Sequence, residues 1–161
     1  MSKLAMPKVD RKLIAKKAEI VSNLKKIVKA ENILDHEDQV RPFETDALSA
    51  YKQKPLVVVF PENTEEVSKI LSYCNNARIK VVPRGGGTGL SGGALPLEDS
   101  ILLCLGKFNK ILNIDYKNRC VVAQPGVTNL SITKAVEDKD FYYAPDPSSQ
   151  IACTIGGNVA E

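Results

Sequence analysis

The feature that most constrains this 161-residue chain is a glycine-rich loop at residues 83–93. Six of the nine residues from 85 to 93 are glycine, and the other three are Thr88, Leu90 and Ser91. Because glycine loses more conformational freedom on folding than any other residue, so many in one ordered loop indicate a specific use. Their backbone N–H groups can form a concave nest for phosphate oxygens, with added hydroxyl donors from Thr88 and Ser91. The loop therefore predicts phosphate binding, with a flexible loop or a hairpin turn as the alternative.

Two residues at the entry to the loop bear on these alternatives. Pro83 stiffens the end of a predicted buried strand, and a mere linker rarely follows such a strand directly. Arg84 comes next, and two roles are open for its guanidinium. It either supplies a positive charge to the phosphate or ties the loop down.

The loop also contains a literal match to the dinucleotide fingerprint G-x-G-x-x-G at Gly87, Gly89 and Gly92. That fingerprint requires a helix that starts inside it, so that the pyrophosphate meets the helix N-terminus. Here Pro96 and a predicted strand follow the loop, which leaves no room for a helix. We therefore expect no Rossmann-type NAD site.

Apolar spacing predicts a mixed α+β layout and not a repeating βαβ wheel. Helices are predicted at residues 10–31, from Asn63 or Thr64 to about 76, and at 129–139. Strands are predicted at residues 56–60, 80–83, 100–105, 111–116 and 120–125, the last two as a hairpin. Residues 32–54 and 142–157 are polar and contain proline, so both are expected to be mainly irregular.

The predicted helices carry start signals and apolar faces. Asp10 is a suitable N-cap residue for the first helix, and Asn63 or Thr64 is suitable for the second. The inward stripe of the second helix is expected to consist of Val67, Ile70, Leu71 and Cys74.

Composition excludes several classes of protein. Hydrophobic residues make up 43% and charged residues 25% of the chain, as in globular and not disordered proteins. The net charge of +3 is too small to indicate nucleic-acid binding. No apolar run approaches the roughly 20 residues that a membrane span needs, and no secretory signal pattern is present.

The four cysteines, Cys74, Cys104, Cys120 and Cys153, form no C-x-x-C pair. Their spacing therefore argues against zinc sites and thioredoxin-type chemistry, and no metal ligands are expected. Reduced thiols indicate a cytoplasmic chain, with contact to a membrane only through partner subunits as the alternative.

Residues 1–30 hold nine Lys or Arg against the acids Asp10 and Glu19. A solvated helix face explains this basic start. Organelle targeting and a membrane surface are the alternatives.

Two segments near the end of the chain are also unusual. Residues 143–149 form a stiff, polar loop around Pro145 and Pro147. Thr154 then has the side chain of a helix cap, and the pair Gly156-Gly157 allows another group to approach closely. An ordinary surface turn before a helix is the alternative.

Three ordered motifs together resemble the FAD-linked oxidase superfamily, which includes vanillyl-alcohol oxidase and p-cresol methylhydroxylase. They are the loop at 83–93, the segment Pro-Asp-Pro-Ser-Ser at 145–149, and the run Cys-Thr-Ile-Gly-Gly-Asn-Val-Ala-Glu at 153–161. Residues 56–67 are also similar to the first strand and helix of that family. Within the superfamily, the chain is similar to the flavin subunit of glycolate oxidase and to D-lactate and D-2-hydroxyglutarate dehydrogenases.

The resemblance implies the first subdomain of a p-cresol methylhydroxylase-type FAD-binding domain, with a mixed sheet flanked by helices. Its positions imply cofactor contacts in the glycine loop, those from Arg84 to Ser91 lying around the pyrophosphate: Arg84, Gly85, Gly86, Gly87, Thr88, Gly89, Leu90, Ser91 and Gly92. On the flavin and ribityl side, the matching positions imply cofactor contacts from Asp146, Pro147, Ser148, Thr154, Gly156, Gly157 and Asn158.

The resemblance also bears on how the cofactor is held. Relatives with covalent flavin often carry a histidine in the glycine loop, whereas the single histidine of this chain is His36. The implied FAD is therefore non-covalent, and His36 is expected to be a surface or loop residue.

Family members are well over twice as long as this chain. The resemblance therefore implies that the second FAD subdomain, the substrate cap and the catalytic residues lie beyond Glu161. The chain is expected to be a truncated product, the product of a split gene or a cut piece. We expect an N-terminal helix and lead-in at residues 1–39 and the N-terminal part of the FAD-binding domain at 40–161. No catalytic residue is assigned.

For the longer parent, the resemblance implies oxidation of a small 2-hydroxy acid, with hydride transfer from the substrate Cα to FAD. The chain alone is expected to be inactive. One alternative is a different oxidase of the same fold, such as an alditol oxidase or an ether-lipid synthase. Another is a non-enzymatic remnant, or a subunit whose second half is a separate companion chain.

Overall fold

The computed structural model describes residues 6–145 and 147–160. The helices are α1 Arg11–Ala15, α2 Lys17–Leu24, α3 Glu37–Val40, α4 Thr64–Ala77, α5 Asn129–Lys134 and α6 Ile155–Ala160. The strands are β1 Ile33–Leu34, β2 Val57–Val59, β3 Lys80–Arg84, β4 Ser100–Cys104, β5 Ile111–Asp115 and β6 Cys120–Ala123. Short 3-10 turns lie at Ala30–Asn32, Arg41–Phe43 and Glu137–Lys139.

A four-stranded mixed sheet with the order β1-β2-β4-β3 forms the centre of the fold. Strand β1 runs antiparallel to β2, whereas β2 and β3 both run parallel to β4. The carboxyl ends of three strands therefore meet at one edge of the sheet, where ligands bind in open α/β sheets. Strands β5 and β6 form a separate antiparallel pair, as the sequence predicts.

Both faces of the central strands are covered, which is why β2 and β4 read as continuous apolar runs. On one face, Val57 and Ile101 pack with Leu24 of α2 and Ile70 of α4. The opposite face is smaller and is built around Val58, Leu102, Val40 and Cys104, with Phe43 and Phe60 packed against it. Helices thus flank a mixed sheet, and the predicted α+β class is confirmed.

The local start signals are also confirmed. The Asp10 carboxylate accepts hydrogen bonds from the backbone N–H groups of Lys12 and Leu13 at the start of α1. Asn63 caps α4 by accepting from the backbone N–H of Glu66. Each cap involves residues only two or three positions apart, which is why the sequence reveals them.

Several predictions about element boundaries and burial are wrong. The helix predicted over residues 129–139 ends at Lys134, and a 3-10 turn follows at Glu137–Lys139. The helix predicted over residues 10–31 is broken at Lys16, and α2 ends at Leu24. The stretch 32–54, predicted to be irregular, contains β1 and α3, which are too short to produce a periodic pattern. Leu71, predicted to face inward, is 45% exposed, because the apolar stripe of α4 is narrower than the pattern suggests.

Candidate functional site

The glycine loop starts where β3 ends, at the edge of the sheet formed by the carboxyl ends of the parallel strands. Arg84, the last residue of β3, pairs in register with Cys104 at the end of β4. No helix occurs between residues 85 and 99, all of which the structure describes, and β4 begins at Ser100. The loop therefore lacks the helix N-terminus of a Rossmann fingerprint, and the prediction that no helix follows it is confirmed.

The loop packs directly against the C-terminal segment of the chain. A Cβ atom on Gly85 would lie 2.5 Å from the Thr154 hydroxyl oxygen, and one on Gly86 would overlap the Ala152 carbonyl oxygen. Two motifs that are far apart in sequence are thus brought into backbone contact. Glycine is required at residue 86 by this packing, because a backbone carbonyl cannot move aside as a side chain can.

The C-terminal segment is held in place by β-type and capping interactions. Thr154 forms an isolated antiparallel bridge with Thr128, and its hydroxyl accepts a hydrogen bond from the backbone N–H of Gly157 at 3.3 Å. The backbone N–H of Gly156 donates to the Pro125 carbonyl at 2.9 Å. The predicted role of Thr154 as a helix cap is confirmed by this geometry.

A cavity of about 540 Å³ lies between the glycine loop and the C-terminal segment. Residues predicted from sequence that line it are Arg84, Gly85, Gly86, Gly87, Thr88, Gly89, Pro147, Thr154, Gly156, Gly157 and Asn158. The structure does not place Leu90, Ser91, Gly92 or Ser148 on its wall, and Leu90 is 71% exposed. Asp146, which the resemblance assigns to the same site, lies outside the described residues.

Other residues of the cavity wall were not assigned as cofactor contacts from the sequence. These are Pro83, Gly93, Ala94, Leu105, Pro125, Ser149, Cys153 and Ala160. Pro83, Gly93 and Ala94 adjoin the loop, so their proximity in sequence was the available signal. Leu105 and Pro125 reach the cavity only because β4 and the segment after β6 end at the same edge, which no local pattern reveals.

Asn129 is a further missed residue, and it supports the wall without lining it. The side chain is only 1% exposed, and its Oδ1 accepts a hydrogen bond from Asn158 Nδ2 at 2.7 Å. Its own Nδ2 donates to the Pro145 carbonyl at 3.1 Å. Asn129 therefore joins α5, α6 and the Pro-rich loop, and a buried amide of this kind is costly unless its partners are all present.

The side chain of Arg84 lies beneath the loop. Its Nη1 donates to the Thr45 carbonyl at 2.7 Å, and its guanidinium carbon lies 5.8 Å from the centre of the Phe43 ring. A Cβ atom on Gly87 would overlap the same guanidinium. Of the two roles that the sequence leaves open, this geometry favours a side chain that ties the loop down.

The charge around the cavity suits an anion. Among its described lining residues, Arg84 is the one charged side chain and none is acidic. Burial raises the pKa of the neighbouring Cys104 thiol to about 12, while the positive charge of Arg84 acts in the opposite direction. This thiol stays neutral near pH 7 and adds no negative charge.

The backbone of the loop offers hydrogen-bond donors. Within the described residues, the N–H groups of residues 85–93 have no protein acceptor, and the nearest turn bond is donated by Leu95 to the Gly92 carbonyl at 3.2 Å. An anion bound here would meet donors that the protein does not use itself.

In residues 6–145 and 147–160, no cluster of three or more His, Cys, Asp or Glu side chains has the arrangement of a metal site. None of the helices in these residues is both long and apolar enough to span a bilayer. His36 is at the surface, as expected, with 83% of its side chain exposed.

Residues 55–161 match the family described as FAD binding domain. The glycolate oxidase subunit GlcD of Escherichia coli (strain K12) is 50% identical over 157 residues, which are 98% of this chain and 30% of that protein. The probable mitochondrial D-2-hydroxyglutarate dehydrogenase of Oryza sativa subsp. indica is 37% identical over 140 residues, 87% of this chain and 25% of that protein.

Solved structures share the fold. An alkyldihydroxyacetonephosphate synthase superposes with a TM-score of 0.78 at 22% identity, over 98% of this chain and 30% of its own. Substrate-bound p-cresol methylhydroxylase superposes with a TM-score of 0.69 at 23% identity, over 82% of this chain and 26% of its own. The predicted p-cresol methylhydroxylase-type fold is confirmed. The chain spans no more than about 30% of the length of these relatives.

Proposed function

The chain belongs to the family of FAD binding domains, and from this premise we propose that residues 84–89, the part of the glycine loop that lines the cavity, hold the pyrophosphate of a non-covalently bound FAD. The meeting of the glycine loop with the C-terminal segment around one cavity carries this proposal. Unpaired loop amides and a wall whose described residues include no acid support it, since a pyrophosphate needs donors and no opposing charge.

We assign the flavin and ribityl side of the cofactor to the opposite wall. Pro147, Thr154, Gly157 and Asn158 lie there, and Ser148 and Asp146 are close in sequence. The Asn129 amide orients Asn158, and the Thr154 hydroxyl fixes the first turn of α6. Acceptance of a hydride is the chemistry that FAD supplies when bound. Within the chain, these residues bind and orient, and none is assigned a proton-transfer role.

For the longer parent we propose oxidation of a small 2-hydroxy acid to the 2-oxo acid. The names of the relatives support this substrate class: glycolate oxidase and D-2-hydroxyglutarate dehydrogenase. The substrate contacts are proposed to lie in the part of those proteins that this chain does not cover. A companion chain that supplies this part is the alternative arrangement.

Residues 40–161 would carry the cofactor contacts, while residues 1–39 would serve as a lead-in that covers one face of the sheet through Ile20 and Leu24. A cytoplasmic location agrees with four cysteines that are all free thiols.

Equilibrium binding of FAD, compared with riboflavin, tests the cofactor assignment. Riboflavin lacks the pyrophosphate, so the full chain should bind FAD weakly and riboflavin more weakly still. Equal affinity for the two would contradict a pyrophosphate site. The activity is tested by adding FAD, a 2-hydroxy acid and an electron-accepting dye, and the chain alone should give no turnover. Robust dye reduction would show that the substrate site lies within these residues.

A further inference from the structure

We propose that Arg84 is a positioning residue, which fixes the glycine loop from below and does not itself neutralise the pyrophosphate. The inference rests on the proposed function, since the loop is taken to be the pyrophosphate site. It goes further because it assigns Arg84, the single charged side chain among the described residues of the cavity wall, to holding the loop in place and not to contacting the cofactor.

The guanidinium is anchored on the segment that follows α3. Nη1 donates to the Thr45 carbonyl at 2.7 Å, and the guanidinium carbon lies 5.8 Å from the centre of the Phe43 ring. Thr45 is itself braced, because its hydroxyl contacts the carbonyl oxygens of Asp46 and Tyr51 at 2.9 and 3.1 Å. The anchor is therefore a structured loop and not a mobile surface.

The other side of the guanidinium lies against Gly87. This residue has a φ of +69°, in the left-handed region that glycine tolerates best, and a Cβ atom would overlap Arg84. The left-handed backbone conformation accounts for the glycine, and the guanidinium packs directly against it. The conformation of the loop and the position of the guanidinium depend on each other.

The anchoring segment also contains a buried carboxylate. Asp46 is 4% exposed, and its Oδ1 accepts from the Leu48 backbone N–H at 3.0 Å. Its Oδ2 has no hydrogen-bond partner within the described residues. Asp46 directly follows Thr45, whose carbonyl accepts from Arg84, so this buried side chain belongs to the segment that anchors the guanidinium.

Lysine and arginine should therefore differ at residue 84. Lysine keeps the positive charge but has neither a planar group to lie over Phe43 nor the forked set of donors. A charge that acted directly on the pyrophosphate would be largely preserved in Arg84→Lys. A positioning role would be lost in Arg84→Lys and in Arg84→Met alike.

The test uses the full 161-residue chain and its Arg84→Lys, Arg84→Met and Phe43→Leu variants, with Arg11→Met as control. Arg11 is a surface arginine with 79% of its side chain exposed. Amide order parameters are measured by ¹⁵N relaxation without ligand. The affinity for ADP, which carries the same pyrophosphate, is then measured at low and high salt, well below the unfolding temperature of each variant.

Both Arg84 variants should lower the order parameters of Gly85, Gly86 and Gly87 from about 0.85 to below about 0.6. Both variants should bind ADP about 10-fold more weakly than the wild type, the effect of losing a charge-assisted hydrogen bond. Their salt dependence should match that of the wild type. Phe43→Leu should shift both quantities in the same direction by less, and Arg11→Met should change neither.

If Arg84→Lys kept the loop order parameters and the ADP affinity of the wild type, the inference would be overturned. A weaker salt dependence of ADP binding in Arg84→Met, together with an ordered loop, would also overturn it. Either result would mean that the charge of Arg84 acts directly on the pyrophosphate. If the wild-type chain fails to bind ADP, the proposed function fails. The order parameters would still decide whether Arg84 fixes the loop.

Discussion

The two ends of β3 each carry a basic residue, and the two residues are held in opposite ways. At the start of the strand, Lys80 Nζ lies 3.0 and 2.8 Å from the two carboxylate oxygens of Asp99, which is 1% exposed. At the end of the strand, Arg84 forms no ion pair within the described residues and donates to the Thr45 carbonyl. One charge is paired with a buried carboxylate, and the other is held by a backbone carbonyl and an aromatic ring beneath the glycine loop.

This difference separates stability from function along a single strand. Asp99 also accepts the Asp10 backbone N–H at 2.8 Å, so the first end of β3 attaches the N-terminal helix to the sheet. The second end opens into a loop whose amides have no protein acceptors in the described chain. Changes at the first end should alter the free energy of unfolding, whereas changes at the second should alter cofactor binding.

The largest expected effect is that of Gly86→Ala at the second end. The new Cβ would overlap the Ala152 carbonyl oxygen, so the glycine loop and the C-terminal segment must separate. Overpacking of this kind costs roughly 1–3 kcal/mol, which corresponds to a loss of ADP affinity of about 5- to 150-fold. Isothermal titration calorimetry measures the change.

Gly106→Ala is the matched control for this prediction. A Cβ atom on Gly106 would meet no other atom within 4 Å, and its φ is not in the left-handed region. This variant should bind ADP as the wild type does. Equal losses in the two variants would show that the packing between loop and C-terminal segment is not responsible.

The next effect is that of Asp99→Asn at the first end of β3. The substitution keeps the shape of the side chain but removes the buried charge that pairs with Lys80. We expect a loss of about 2 kcal/mol in the free energy of unfolding, less than the roughly 3–5 kcal/mol for a fully buried pair because the Lys80 side chain is partly exposed. Urea denaturation measures this loss, and ADP affinity should not change.

Glu98→Gln is the control at the neighbouring residue. Glu98 lies 3.8 Å from Arg11 at the surface, and such a pair contributes at most about 1 kcal/mol. A large loss of ADP affinity in Asp99→Asn, at temperatures where the variant is folded, would contradict the division between the two ends.

The smallest effect is the pH dependence of stability. Burial by itself raises the pKa of Asp99, but hydrogen bonds from Lys80 and from the Asp10 backbone hold it below its ordinary value of 3.8. Hydrogen bonds from Asn32 and Lys29 likewise lower the pKa of Glu62 to about 2. A carboxyl whose pKa is lowered by folding stabilises the protein above its unfolded pKa and loses this contribution as pH falls.

Stability should therefore fall as pH decreases from about 4.5 toward 2. The slope should be shallower in Glu62→Gln and in Asp99→Asn than in the wild type. Urea denaturation at a series of pH values measures these slopes. Unchanged slopes in both variants would mean that other carboxyl groups account for acid unfolding.

Several parts of this architecture could be predicted because their causes are local. The caps at Asp10 and Asn63 act on residues two or three positions away, and the apolar runs of β2 and β4 reflect burial on both faces. The glycine loop could be distinguished from a Rossmann loop because Pro96 and β4 follow it at once.

The rest depends on contacts between distant residues. Strand β1 exists only through its pairing with β2, and two residues carry no detectable period. Asn129 gives no signal of its own, because its importance comes from Asn158 and Pro145. The role of Arg84 likewise stayed open, since Thr45 and Phe43 reach it only in the folded chain.

The most direct test of the central claim is to map ADP onto the chain by ¹⁵N chemical-shift perturbation. The account predicts that ADP shifts the amides of Gly85, Gly86, Gly87, Thr88 and Gly89, and leaves those of Lys80 and Asp99 unchanged. Shifts confined to the Lys80 end, or spread evenly over the chain, would contradict a pyrophosphate site at the glycine loop.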